Sequence, residues 1–155
     1  MNHFWNAIWV SRFLDLADEV STWSKDPSTK VGCVIVDAEK RVVGLGYNGF
    51  PRGVIDSHER LHNRETKLAL TIHAEENAML NAVRPVSGCV AFVTHPPCVA
   101  CMARIIQAGI ITVYYRLPAP EFENRWAASV AMSRELAAEV GVMVIGVGVG
   151  AGASG

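Results

Sequence analysis

Several things are missing or scarce in this chain, and each absence removes a class of protein. No apolar run approaches the length needed to cross a bilayer, so a helical membrane protein is not expected. Charge of one sign does not dominate: 14 Lys and Arg face 15 Asp and Glu, for a net charge of −1. Neither a disordered polyelectrolyte nor a general polyanion-binding surface fits that balance. There is no long basic stripe and no interleaved run of aromatics, which a groove for single-stranded nucleic acid would need. The stretch from Met1 to Trp9 lacks the basic region, apolar core and small-residue cleavage site of a secretory signal. A cytoplasmic location is therefore expected. In such a reducing compartment the 4 cysteines are expected as thiols rather than as a disulfide framework.

What is present is enough for one domain with a real core. Half of the 155 residues are hydrophobic, and the reading is a single domain over residues 1–147 followed by a flexible Gly/Ala-rich tail, 148–155. The tail resembles a phosphate loop only superficially, because it has no lysine and no helix after it.

The chemistry is concentrated in two short stretches, His73-Ala74-Glu75 and Pro97-Cys98-Val99-Ala100-Cys101. Cys98 and Cys101 are three apart, so a helix beginning near Cys98 projects both sulfurs from its first turn toward one point. A helix start favours thiolates, since its unpaired N–H groups and positive dipole end lower the thiol pKa. His73 completes a set of three zinc ligands and leaves a fourth position open, which marks a catalytic rather than a structural zinc. Glu75, two residues on, is placed to carry protons instead of binding metal. H-x-E followed by P-C-x-x-C is the established signature of zinc deaminases, far more specific than a lone C-x-x-C, which also serves redox pairs and structural zinc. Cys33 and Cys89 lie in apolar runs and read as small buried hydrophobes.

A second pattern competes. His58-Glu59-Arg60-Leu61-His62 matches H-E-x-x-H, the helix of zinc peptidases. Pro51, Gly53 and Asp56-Ser57 crowd its start and no further histidine motif follows, so a charged surface helix is the expectation. A second zinc through His58, His62 or His95 is the alternative.

Taken in order, apolar residues at three- and four-residue steps from Phe4 to Trp23 predict an amphipathic helix stopping near Lys25-Asp26-Pro27. Val31–Val36 and Arg41–Tyr47 read as a hairpin around the turn Asp37 to Lys40. A polar connection follows, with a short helix near Glu59 to Leu70. Then come a helix from His73 to Val83, a strand Cys89–Thr94, a helix Cys98–Ala108 capped by Gly109, a strand Ile110–Tyr115, a helix Glu121–Glu139 stopped by Gly141, and a strand Val142–Val147. Strands alternating with helices imply helices on both faces of a largely parallel sheet, with both ligand-bearing helices starting at its carboxyl edge. Ser24, Lys25, Thr29, Lys30 and Asn48 gather at one end of the opening unit. They suit either a substrate or an ordinary solvated turn.

These segments together resemble a known family. Lys25-Asp-Pro-Ser-Thr-Lys-Val-Gly32, Gly46-Tyr-Asn-Gly-Phe-Pro51, His73-Ala-Glu-Glu-Asn77 and Pro97-Cys-Val-Ala-Cys101 are similar to the deoxycytidylate (dCMP) deaminases, within the cytidine deaminase-like superfamily. The likeness runs from about Trp23 to Ile111, with a looser echo at Arg125-Trp126. It implies a three-layer α/β/α fold with a five-stranded mixed sheet, and zinc-dependent hydrolysis of dCMP to dUMP and ammonia. It also implies roles: Asn48 for the deoxyribose hydroxyl, Ser24, Lys25, Thr29 and Lys30 near sugar and phosphate, and the Ala74 N–H for the pyrimidine carbonyl. Many members are hexamers activated by dCTP and inhibited by dTTP, so a homo-oligomer with these effectors is implied too. Some phage members hold a second zinc, but Cys33 and Cys89 are committed to strands and a complete second site is not expected. Glu76 is read as facing solvent or a neighbouring subunit. The competing functions are deamination of another base, such as a modified cytosine nucleotide or adenosine in tRNA, and a nucleotide-binding module without turnover.

Overall fold

The computed structural model describes residues 5–148. Phe4 and most of the tail, 149–155, lie outside the described residues. A five-stranded sheet in the order β2-β1-β3-β4-β5 forms the middle layer. Its strands are β1 (Gly32–Val36), β2 (Val42–Tyr47), β3 (Val90–Val93), β4 (Thr112–Arg116) and β5 (Met143–Val147). β1 runs antiparallel to both β2 and β3, whereas β3, β4 and β5 are mutually parallel. The sheet is therefore mixed, as the family resemblance implies, and less parallel than the alternation of elements suggests. The opening hairpin is the reason, because a tight turn can join only antiparallel strands.

One helix, α1 (Ala7–Ser21), covers one face of this sheet, and α4 (Ala74–Leu80), α5 (Val99–Ala108) and α6 (Pro120–Val140) cover the other. Strand residues alternate between two apolar clusters. Val34, Val36 and Phe92 meet Phe13, Leu14 and Ala17 of α1, while Cys33, Ile35 and Val93 meet Ala78, Met102 and Ile105 of the opposite layer. Met102 and Ile105 are fully buried, which stabilises α5 by roughly 1.5–3 kcal/mol for each side chain. Cys33 and Cys89 are both buried and free, as expected of small core hydrophobes.

Helix α1 ends sooner than Pro27 alone predicts. Ser21 Oγ and Thr22 Oγ1 donate to the carbonyls of Asp18 and Glu19, an alternative to continuing the ladder. Trp23 consequently leaves the apolar stripe: it is half exposed and sits edge-on to Tyr47 at 6.1 Å. The single short helix expected near Glu59 to Leu70 is instead two, α2 (His58–His62) and α3 (Arg64–Leu70). Asn63 divides them, with an extended backbone and a side chain that accepts the Thr66 N–H at 3.0 Å, so it caps the second helix. Gly109 and Gly141 close α5 and α6 in the left-handed conformation, as predicted.

The carboxyl ends of β2, β3, β4 and β5 all lie along one edge, with the amino end of β1 among them. Helices α4 and α5 both begin there. Gly46 lets α4 lie directly on β2: a Cβ on it would sit 2.3 Å from the Ala78 nitrogen and 2.7 Å from the Ala74 oxygen. Gly32 does the same for α1, where a Cβ would be 2.1 Å from the Ala17 oxygen.

Candidate active site

His73 is the residue immediately before α4 and Cys98 the residue immediately before α5, both with extended backbone. Neither side chain caps its own helix. They turn toward each other instead, and Cys101, in the first turn of α5, joins them. His73 Nδ1 lies 3.2 Å from Cys101 Sγ and 3.5 Å from Cys98 Sγ. Zinc bound tetrahedrally at usual Zn–N and Zn–S lengths would separate such donors by roughly 3.6 Å. One imidazole and two sulfurs at this spacing therefore fit zinc, and among the described residues they form the one group of three convergent metal donors. The two helices are tied together near the site by Arg104 of α5 and Glu76 of α4, 2.8 Å apart. Glu76 thus has an ion-pair partner within its own chain and stays partly exposed to solvent.

The electrostatics match the donor set. Cys98 is lowered to about 4, chiefly by a hydrogen bond from the Cys101 thiol, against the effect of burial and helped by His73. Cys101 is pushed up, because it holds the proton shared with Cys98 and is itself buried. Two adjacent sulfurs in one small space cannot both ionise easily, and a divalent cation between them removes that conflict. Glu75 lies in the first turn of α4 and is 5% exposed. Burial raises its pKa, opposed by its own backbone N–H and by His73. A carboxyl lifted toward neutrality suits repeated proton transfer.

Beside this centre is a cavity of about 140 Å³. Its lining includes His73, Ala74, Glu75 and Cys98, together with Thr29 and Asn48. Cys101 is buried and is not among the lining residues. Three of the residues carried over from the resemblance do not line the cavity. Ser24 is buried and donates to the Asn48 carbonyl at 2.8 Å. Lys25 points outward to Asp56 at 3.0 Å, and Lys30 is exposed. The cations that do line it are Lys67 and Arg64, three apart on one face of α3. Sequence reasoning missed both, as it missed Asp26, Ser28 and Thr71. The i, i+3 spacing of Arg64 and Lys67 just before the histidine was the available signal. His95 and Pro96 line the cavity from the β3–α5 connection, and Trp126 and Val130 close it from α6.

His58 and His62 are elsewhere. Their rings stack at 3.9 Å on a five-residue helix without buried residues, and His62 Nδ1 lies 2.8 Å from the His58 carbonyl. The surface-helix expectation holds, and among the described residues no group of three donors includes either histidine or His95.

Comparison with known proteins decides what kind of site this is. The profile of the cytidine and deoxycytidylate deaminase zinc-binding region matches residues 7–117. The chain belongs to that deaminase family. The matched region is the family's zinc-binding region, His73, Cys98 and Cys101 form a donor group able to hold that zinc, and the five-stranded mixed sheet flanked by helices is the family's fold. The deaminase is 46% identical over 136 residues to the uncharacterized deaminase in the luxG 3′ region of Aliivibrio fischeri, covering 88% of this chain and 91% of that one. It is 40% identical over 113 residues to the deoxycytidylate deaminase of Mus musculus, covering 69% of this chain and 64% of that protein. It therefore spans a little under two thirds of the mouse enzyme. The crystal structure of dCMP deaminase from the cyanophage S-TIM5 in apo form matches with a TM-score of 0.69 at 25% identity, over 89% of this chain and 96% of that one. None of the deaminase's described helices is long and apolar enough to cross a membrane.

Proposed function

We propose that this deaminase hydrolyses dCMP to dUMP and ammonia, with His73, Cys98 and Cys101 holding zinc and Glu75 moving the protons. One observation carries the mechanism: a buried carboxylate in the same helical turn as one donor of a three-donor cluster, opening onto a cavity. When bound, zinc supplies the Lewis acidity that makes water nucleophilic at neutral pH. Glu75 removes a proton from that water as its oxygen adds to C4 of the ring, and delivers it to N3. The second water proton goes by the same carboxyl to the exocyclic nitrogen. The C4–N4 bond then breaks, ammonia leaves and the C4 carbonyl of dUMP forms.

The rest of the cavity supplies binding. The Ala74 N–H is in the first turn of α4, where backbone donors have no helical partner, and in this reading it donates to the pyrimidine carbonyl. Asn48 accepts the Val31 N–H at 2.8 Å and donates to the Thr29 carbonyl at 2.9 Å, which leaves one amide hydrogen for the deoxyribose hydroxyl. Lys67 is matched by Asp26. Arg64 makes no ion pair among the described residues, so it is the cation we assign to the phosphate, in place of Lys25 and Lys30. The name of the mouse relative supports the choice of dCMP over other substrates. Homo-oligomeric assembly and control by dCTP and dTTP rest on the resemblance, and light scattering with and without each nucleotide tests them.

Zinc stoichiometry and ammonia release should be measured on one sample with dCMP, CMP and dCTP. About one zinc per chain and turnover of dCMP are expected. An inert dCMP beside a reactive second nucleotide would overturn the substrate, and a metal-free active enzyme would overturn the chemistry.

A further inference from the structure

The best-buried charges on the cavity wall outside the metal centre take no part in the steps above. Lys67 reaches over from α3 with its side chain 10% exposed, and meets Asp26, 11% exposed, at 3.0 Å. The same ammonium lies 3.1 Å from Ser28 Oγ. Asp26 Oδ1 also accepts the N–H groups of Ser28 at 2.8 Å and Thr29 at 3.1 Å. The network then continues into the cavity. Thr29 offers its carbonyl to Asn48 Nδ2, and Asn48 Oδ1 takes the Val31 N–H. Ser24 Oγ accepts the Asp26 N–H at 3.2 Å and donates to the Asn48 carbonyl at 2.8 Å. A helix 41 residues away in sequence thereby holds the loop that carries Thr29 and orients Asn48.

Stability alone is a poor reason for such a pair. Two charges withdrawn from water lose much of their mutual attraction to desolvation, and well-packed apolar side chains often serve as well. A salt bridge anchoring one wall of a binding cavity has another use: it fixes donors and acceptors before the ligand arrives. We propose that Lys67 and Asp26 are positioning residues that preset the sugar-side wall of the cavity through the Asp26–Val31 loop and Asn48. The inference rests on reading the cavity as a nucleotide site.

The test uses zinc-loaded enzyme carrying Lys67→Met, Lys67→Arg or Asp26→Asn. Lys67→Met should raise KM for dCMP about tenfold, with kcat held within about threefold, the pattern of lost uniform binding. Its zinc content should equal that of the wild type. Asp26→Asn keeps an oxygen for the two N–H groups but loses the charge, so a smaller rise in KM is expected, and it carries the test if Lys67→Met does not fold. Lys67→Arg should recover part of the loss. Calorimetric affinity for dUMP should weaken in parallel, without any need for turnover. Unchanged KM and dUMP affinity in the folded variants overturn the proposal, even if their melting temperature falls. So does a loss confined to kcat, or one that tracks loss of zinc. A wild type inert toward dCMP refutes the substrate reading instead, whereas an active wild type with unaffected variants refutes only the positioning role.

Discussion

His58 and His62 stand one turn apart on α2, and His73 stands with Cys98 and Cys101 at the starts of α4 and α5. Both sets spell a zinc pattern in the sequence, and each has a glutamate beside its first histidine. In the first set the rings stack on each other, a ring nitrogen returns to the backbone of its own helix, and among the described residues no group of three metal donors includes them. In the second, three donors from two helices converge because both helices start at one edge of the sheet, and Glu75 is buried where Glu59 is exposed. Ligand spacing along one helix fixes only the direction of side chains. A catalytic centre also needs a second element to close the coordination shell and a wall that excludes water from the carboxylate.

Metal removal should separate the two sets most sharply. Cys98→Ala, or prolonged chelation of the wild type, should reduce both bound zinc and ammonia release to background, and retained zinc in Cys98→Ala would break the assignment. The glutamates come next. Glu75→Ala should keep zinc yet lose about 10²–10⁴ in kcat, the usual worth of a general acid–base group, while Glu59→Ala should leave kcat unchanged. Comparable losses in both would erase the distinction. Gly46→Ala probes how α4 is seated, since the added methyl meets backbone on α4. It should cost about 1–3 kcal/mol in urea unfolding, as overpacking does.

Acid titration sharpens the contrast from the opposite edge of the sheet. There Asp37 is held down to about 2: burial would raise it, but the Arg41 backbone N–H and guanidinium, with Arg84, outweigh that. A depressed carboxyl contributes stability above its unfolded value of 3.8, and the contribution is lost as pH falls from there toward about 2. Asp37→Asn should flatten unfolding free energy in that window and leave turnover at neutral pH unaltered. The smallest effect is expected for His58→Ala combined with His62→Ala. Zinc should stay near one per chain and kcat within about twofold, as surface substitutions usually allow. Loss of a second equivalent of zinc would reinstate α2 as a metal site.

Much of this was legible in the chain itself. The positions of His73, Glu75, Cys98 and Cys101, the strands and the glycine stops all follow from local chemistry that operates over a few residues. Asn63 was harder, because its value as a cap appears only once the chain turns there. The misplacement of Trp23 arose in the same way: periodicity carried the apolar stripe past Ser21, where side-chain hydroxyls had already ended the helix.

The sequence by itself marked the candidate donor atoms, the candidate proton carrier and the alternation of strands with helices, since residue type and spacing fix ligand chemistry and periodicity. Only the tertiary structure decided which cations reach the cavity. Lys25 and Lys30 belong to the family motif yet do not line the cavity, while Lys67 and Arg64 are brought in by a helix distant in sequence. Helix seating and loop anchoring depend on contacts between segments, and a linear pattern does not encode the distances at which they meet.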